Sequence, residues 1–122
     1  MKLYLTVDSL SIIHWWVDAA YGVHWDCKGH TGAMMSMRKG TILSFSRGQK
    51  LNAGSSTEAE LIGIADALGI ILWTKYFMGA LGYTIDTNIL FQDNKSTILL
   101  ATNGRQSAGK KSKHICSFML DL

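Results

Sequence analysis

Three carboxylates stand at places where a fold could bring them together. Asp18 lies inside an apolar, β-branched and aromatic run from Ile12 to Ala20, Asp93 stops a second apolar run from Ile85 to Gln92, and Glu60 falls in the first turn of a long helical pattern between them. If the strands of Asp18 and Asp93 are neighbours, the two groups meet near the carboxyl end of the sheet, where open α/β sheets place their sites. Glu60 reaches the same place from the helix. At roughly 4 Å each like-charged pair costs about 4 kcal/mol at an effective dielectric near 20, so such a cluster needs a cation or a shifted pKa. Oxygen-only ligands select hard divalent ions, Mg²⁺ or Mn²⁺. Each residue also has an ordinary reading: Asp93 as a helix cap, Glu60 closing a capping box with Thr57, Asp18 as a satisfied polar group in a half-buried strand. Glu58 is the rival of Glu60, and two helical positions apart the pair project about 200° from one another, so only one can face the site.

The elements that must position these groups follow from pattern. Ile12 to Ala20 reads as a buried strand with polar residues on one face, followed by a hairpin-prone stretch from Gly22 to Gly32. Gly32 to Met37 and Thr41 to Ser46 are two further strand candidates, giving three strands in meander order. Ser55, Ser56 and Thr57 supply N-cap hydroxyls before a helix predicted from Glu58 to about Leu81, with apolar positions 61, 64, 65, 68, 71 and 72 at helical spacing and Gly82 as its stop. A strand from Ile85 to Gln92, a helix from Asn94 to Ala101, a Gly, Ser and Lys-rich loop from Asn103 to Ser112 and a short strand from His114 to Cys116 complete the reading. The helix between the two halves predicts a parallel strand pair through a right-handed crossover.

Composition bounds the class. The chain has 122 residues, 48% apolar and 17% charged, with no proline, which argues for one globular domain that can bury roughly 65% of its unfolded surface. Cys27 and Cys116, far apart in sequence, read as reduced thiols of an intracellular protein. No apolar run reaches the ~18 to 20 residues of a membrane span, and the first residues lack the order of a signal peptide. The net charge is +3, and Lys95, Arg105, Lys110, Lys111 and Lys113 fall between Asp93 and Asp121 with no acidic residue among them. Such a basic face suits a polyanion, or is simply a solvated surface loop. His24, Asp26, Cys27 and His30 lie close in sequence, but no second Cys/His pair exists to complete a zinc site. Met34, Met35 and Met37 with Trp15, Trp16 and Trp25 read as core and hairpin packing rather than a base-stacking platform. The absence of any Gly-x-Gly-x-x-Gly or Gly-x-x-x-x-Gly-Lys string disfavours a nucleotide-binding doubly wound domain.

Five strings occur in order: Trp16-Val17-Asp18-Ala19-Ala20-Tyr21-Gly22-Val23-His24, Gly29-His30-Thr31-Gly32-Ala33, Ser55-Ser56-Thr57-Glu58-Ala59-Glu60-Leu61, Phe91-Gln92-Asp93-Asn94-Lys95-Ser96 and Lys113-His114-Ile115. Together they resemble the ribonuclease H domain at the C-terminal end of copia-type retrotransposon Pol polyproteins. The likeness covers nearly the whole chain, with residues 1–11 resembling the connector that follows the reverse transcriptase and 12–122 the domain itself. It implies an α/β, ribonuclease H-like fold with a five-stranded mixed sheet in order 3-2-1-4-5, helices packed on it and the last helix incomplete. It also implies cleavage of the RNA strand of RNA/DNA hybrids, with Asp18, Glu60 and Asp93 holding two Mg²⁺ (or Mn²⁺) ions and Glu60 preferred to Glu58. His114 matches the family's Lys-His-Ile string as a residue near the scissile phosphate. Ser55, Ser56, Thr57 and Asn94 are candidates for the hybrid's minor groove and its 2′-hydroxyls, and Lys110, Lys111 and Lys113 for its backbone. Past Ile115 the chain departs from the family and stops, which reads as a truncated copy. Asp121 is there the candidate fourth carboxylate, at a short offset from His114. Two functions result: a metal-dependent hybrid endonuclease of reverse transcription, or an inactive remnant that binds nucleic acid. The implied partners are the hybrid and a reverse transcriptase domain of the same polyprotein, and the implied location is the cytoplasm or a virus-like particle.

Overall fold

The structure is a computed structural model that describes residues 6–7 and 11–103. Its strands are β1 (Thr6–Val7), β2 (Ile12–Ala20), β3 (His30–Ser36), β4 (Arg38–Lys39), β5 (Leu43–Gly48) and β6 (Thr87–Phe91); its helices are α1 (Ser56–Ala80) and α2 (Lys95–Asn103). The main sheet is mixed, open and four-stranded, in order β5-β3-β2-β6. β2 pairs antiparallel with β3 and parallel with β6, and β3 pairs antiparallel with β5, while β1 and β4 form a separate two-stranded ribbon. Meander and parallel crossover strand are therefore as expected, and four strands stand where five were expected. The fifth, over His114 to Cys116, lies outside the described residues, as do the last helix and most of residues 1–11.

Alternation along β2 decides where the core sits. Ile13, Trp15 and Val17 face inward and are buried, joined by Ala33 and Met35 of β3 and Leu90 of β6. Ile64, Ala67, Leu68 and Ile71 of α1 cover that face. The opposite face carries Trp16 stacked on Phe91 at 5.0 Å, with Met34 exposed beside them. This corrects the packing reading: Trp15, Met35 and Met37 are core, but Trp16, Met34 and Trp25 are exposed, because a half-buried strand sends alternate apolar side chains to opposite sides.

α1 begins two residues earlier than the apolar pattern suggested, since its cap is Ser55, whose Oγ accepts from Glu58 N–H at 3.2 Å while Glu58 Oε2 accepts from Gly54 N–H at 2.6 Å. The cap thus involves Ser55 and Glu58, not Thr57 with Glu60, and Glu58 reaches past the N-cap residue to the Gly54 N–H. The helix ends as expected at Gly82, whose φ of +91° opens the left-handed turn. Its 25 residues include an 18-residue window of mean hydropathy 1.5, long and apolar enough for a membrane span, contrary to the sequence reading. One flank of α1 packs on β2 and β3, a third of that window being buried, while Trp73, Tyr76 and Phe77 of the same helix are exposed.

Two glycines of α1 behave oppositely. A Cβ at Gly63 would press on the Ala19 Cβ at 3.2 Å, so this glycine lets the helix settle close to β2, one turn after Glu60. A Cβ at Gly69 would meet nothing within 4 Å. Gly69→Ala is expected to stabilise the fold by about 0.5 to 1 kcal/mol in urea unfolding, through helix propensity alone.

Candidate metal centre

Asp18 and Asp93 reach the same place by register. β2 and β6 run parallel with Trp16 opposite Phe91; Asp18 follows two residues later on β2 and Asp93 two residues past the end of β6. Both are exposed at the rim of an open cavity of about 600 Å³ lined also by Trp16, Met34, Phe45 and Phe91. Glu60 arrives from the second turn of α1 and is buried. One carboxylate oxygen from each of Asp18, Glu60 and Asp93 lies within 4.8 Å of the others, and no other group of three potential ligands among the described residues comes as close.

The hydrogen bonds around this cluster are sparse. Asp18 Oδ1 accepts from the Ala19 N–H at 2.9 Å. Glu60 Oε2 accepts from Gln92 Nε2 at 3.1 Å, and Gln92 Oε1 accepts from the Asn94 N–H at 3.1 Å. No salt bridge supplies a cation to the three acids among the described residues. Burial raises the Glu60 carboxyl above its ordinary value; the Gln92 hydrogen bond opposes this, Asp18 adds to it, the Ala19 N–H opposes it and Asp93 adds to it. A buried acid between two others and without a counter-charge fits a hard divalent cation held by carboxylate oxygens.

The raised Glu60 value has a thermodynamic consequence. The folded chain keeps this proton to higher pH than the unfolded chain, so the associated stability is complete below the ordinary value of 4.5 and is lost as pH rises through the folded value. Metal-free protein is therefore expected to lose stability over that interval, and Glu60→Gln to remove this component of the slope in urea unfolding at a series of pH values. Added Mg²⁺ acts in the opposite direction, because binding needs the ionised carboxylate.

The other sequence candidates divide. Ser55 caps α1, Ser56 beside it is exposed, and Thr57 accepts through its carbonyl from Thr97 Oγ1 at 3.2 Å. Asn94 Oδ1 accepts from the Thr97 N–H at 3.1 Å, so Asn94 rather than Asp93 caps α2. Asn94 and Asp93 stand at the start of α2, and Thr97 ties it to α1, so Asn94 borders the acidic cluster. His114, Asp121, Lys110, Lys111 and Lys113 lie outside the described residues. In the hairpin, His24 Nε2 and His30 Nδ1 share a hydrogen bond at 2.9 Å and His30 Nε2 meets Ser46 Oγ at 2.6 Å. These rings serve the packing of the β2–β3 connection onto β5, and Cys27 is free and exposed. Sequence reasoning singled out neither Gln92 nor Gly63. An inward position by strand alternation, directly before an acid, was the available signal for Gln92.

No family model matches the chain. Over 88 residues, 72% of its length, the chain is 33% identical to the retrovirus-related Pol polyprotein from transposon TNT 1-94 of Nicotiana tabacum. It spans about 6% of that relative's length. The similarity supports a relationship to a retrotransposon Pol polyprotein.

Proposed function

We propose that the domain is a metal-dependent nuclease of the ribonuclease H type that hydrolyses the RNA strand of RNA/DNA hybrids during retrotransposon reverse transcription. The convergence of Asp18, Glu60 and Asp93 on one point, from two parallel strands and the helix packed against them, carries this reading. The likeness to a Pol polyprotein supports it. Two Mg²⁺ or Mn²⁺ ions, when bound, supply an activated water and stabilisation of the leaving 3′ oxygen.

The chain's own residues contribute placement. Asp18 near the end of β2, Glu60 on the helix side and Asp93 just past β6 would together hold the ions. Ser56 and Asn94, at the starts of the two helices, face the same end of the sheet, where a minor groove with its 2′-hydroxyls would lie. The helix N-termini add partial positive charge towards a phosphate.

Cleavage of a labelled RNA/DNA hybrid tests the proposal. The protein is expected to cut the RNA strand in Mg²⁺ or Mn²⁺, to stop on chelation, and to spare double-stranded DNA of the same sequence. No cleavage in either ion would overturn it.

A further inference from the structure

We infer that Gln92 is the positioning residue of the metal centre, holding the three carboxylates in register without neutralising them. The inference rests on the proposed function above.

Gln92 is 6% exposed, and its amide touches Glu60 itself and a chain neighbour of each of the other two acids. Nε2 donates to Glu60 Oε2 at 3.1 Å and approaches the carbonyl of Val17, the residue before Asp18, at 3.5 Å. Oε1 accepts from the N–H of Asn94, the residue after Asp93, at 3.1 Å. One planar group thus links β2, α1 and the β6 to α2 junction, the three elements that deliver the ligands.

The chemistry of an amide suits this task better than its alternatives. It occupies one oxygen of Glu60 as donor and leaves the other for an ion. A lysine there would place a cation among the acids and compete with the metal. A glutamate would add a fourth negative charge, and an aliphatic side chain would leave a buried carboxylate oxygen without a donor. Groups that orient metal ligands from outside the coordination sphere typically change affinity by about 10- to 100-fold when removed.

Mn²⁺ titration calorimetry on the full chain tests this. The variants are Gln92→Met, Glu60→Gln and the double substitution, with circular dichroism melts in chelator reporting the fold. Gln92→Met is expected to weaken Mn²⁺ binding about 10- to 100-fold in the parent background, and by a clearly smaller factor once Glu60 is already Gln, because only the links towards Asp18 and Asp93 then remain. A purely structural role would lower the melting temperature and give the same loss in both backgrounds, overturning the inference. Parent-like affinity in Gln92→Met would overturn it too, while leaving the nuclease reading standing. If the parent itself fails to bind Mn²⁺, the nuclease reading falls and the inference with it. Should Gln92→Met not fold, Gln92→Asn carries the test, because its amide is one methylene too short to span Glu60 and the Asn94 N–H: Mn²⁺ binding weakened about 10- to 100-fold in a folded variant supports the role, and parent-like binding refutes it.

Discussion

Asp18→Asn is expected to melt at a higher temperature than the parent in chelator, yet to cut an RNA/DNA hybrid more slowly by roughly 10² to 10³-fold, the usual cost of losing one preorganised electrostatic group at a reacting centre. Both effects have the same origin. Three acids lie within 4.8 Å of one another and no cation among the described residues balances them, so the metal-free fold carries their mutual repulsion. Asparagine has the shape of aspartate, and its Oδ1 retains the bond from the Ala19 N–H. What disappears is the charge that a divalent ion requires. The stabilisation that Mg²⁺ gives the parent in thermal melts should shrink in parallel. A variant that loses activity because it is misfolded would instead melt lower.

Trp15→Ala is the largest stability effect expected. Trp15 is fully buried between the sheet and α1, with its Nε1–H donating to Asn88 Oδ1 at 3.3 Å. Removing such a side chain costs about 3 to 5 kcal/mol, a large share of the 5 to 15 kcal/mol typical of a domain. Trp16→Ala, one residue on, should cost only about 1 kcal/mol, mostly the stacking on Phe91, because that ring stands on the open face. Urea unfolding of the two variants measures the contrast directly. Equal losses would mean that β2 is inserted with the other register.

How far the sequence could carry this argument is visible in the same residues. The strand Ile12–Ala20 was legible to the residue, because alternation between buried and polar positions is a local property. Helical angle allowed only one of Glu58 and Glu60 to face the site and the family resemblance pointed to Glu60; the observed cap shows the physics, with Glu58 turned back to Gly54 and Glu60 turned to the sheet. That Asp18 and Asp93 share one end of the sheet was only conditional. The pairing of β2 with β6 spans more than seventy residues, and strand order is set by tertiary packing that no local window contains. Trp16 and Met34 were misplaced for a related reason, since composition reports apolarity but not which face of a sheet α1 covers. The hydropathy of α1 was underrated because Glu60, Asp66 and Lys75 interrupt any strict apolar run while leaving the window average high. Gln92 went unnoticed because a neutral amide shows no chemistry until its partners are in place.

Soaking Mn²⁺ into crystals of the protein and locating the ion by its anomalous scattering tests the central claim most directly. The account predicts density between the carboxylates of Asp18, Glu60 and Asp93, absent from Asp93→Asn crystals treated alike. Density elsewhere, or three carboxylates turned away from one another around an empty rim, would contradict it.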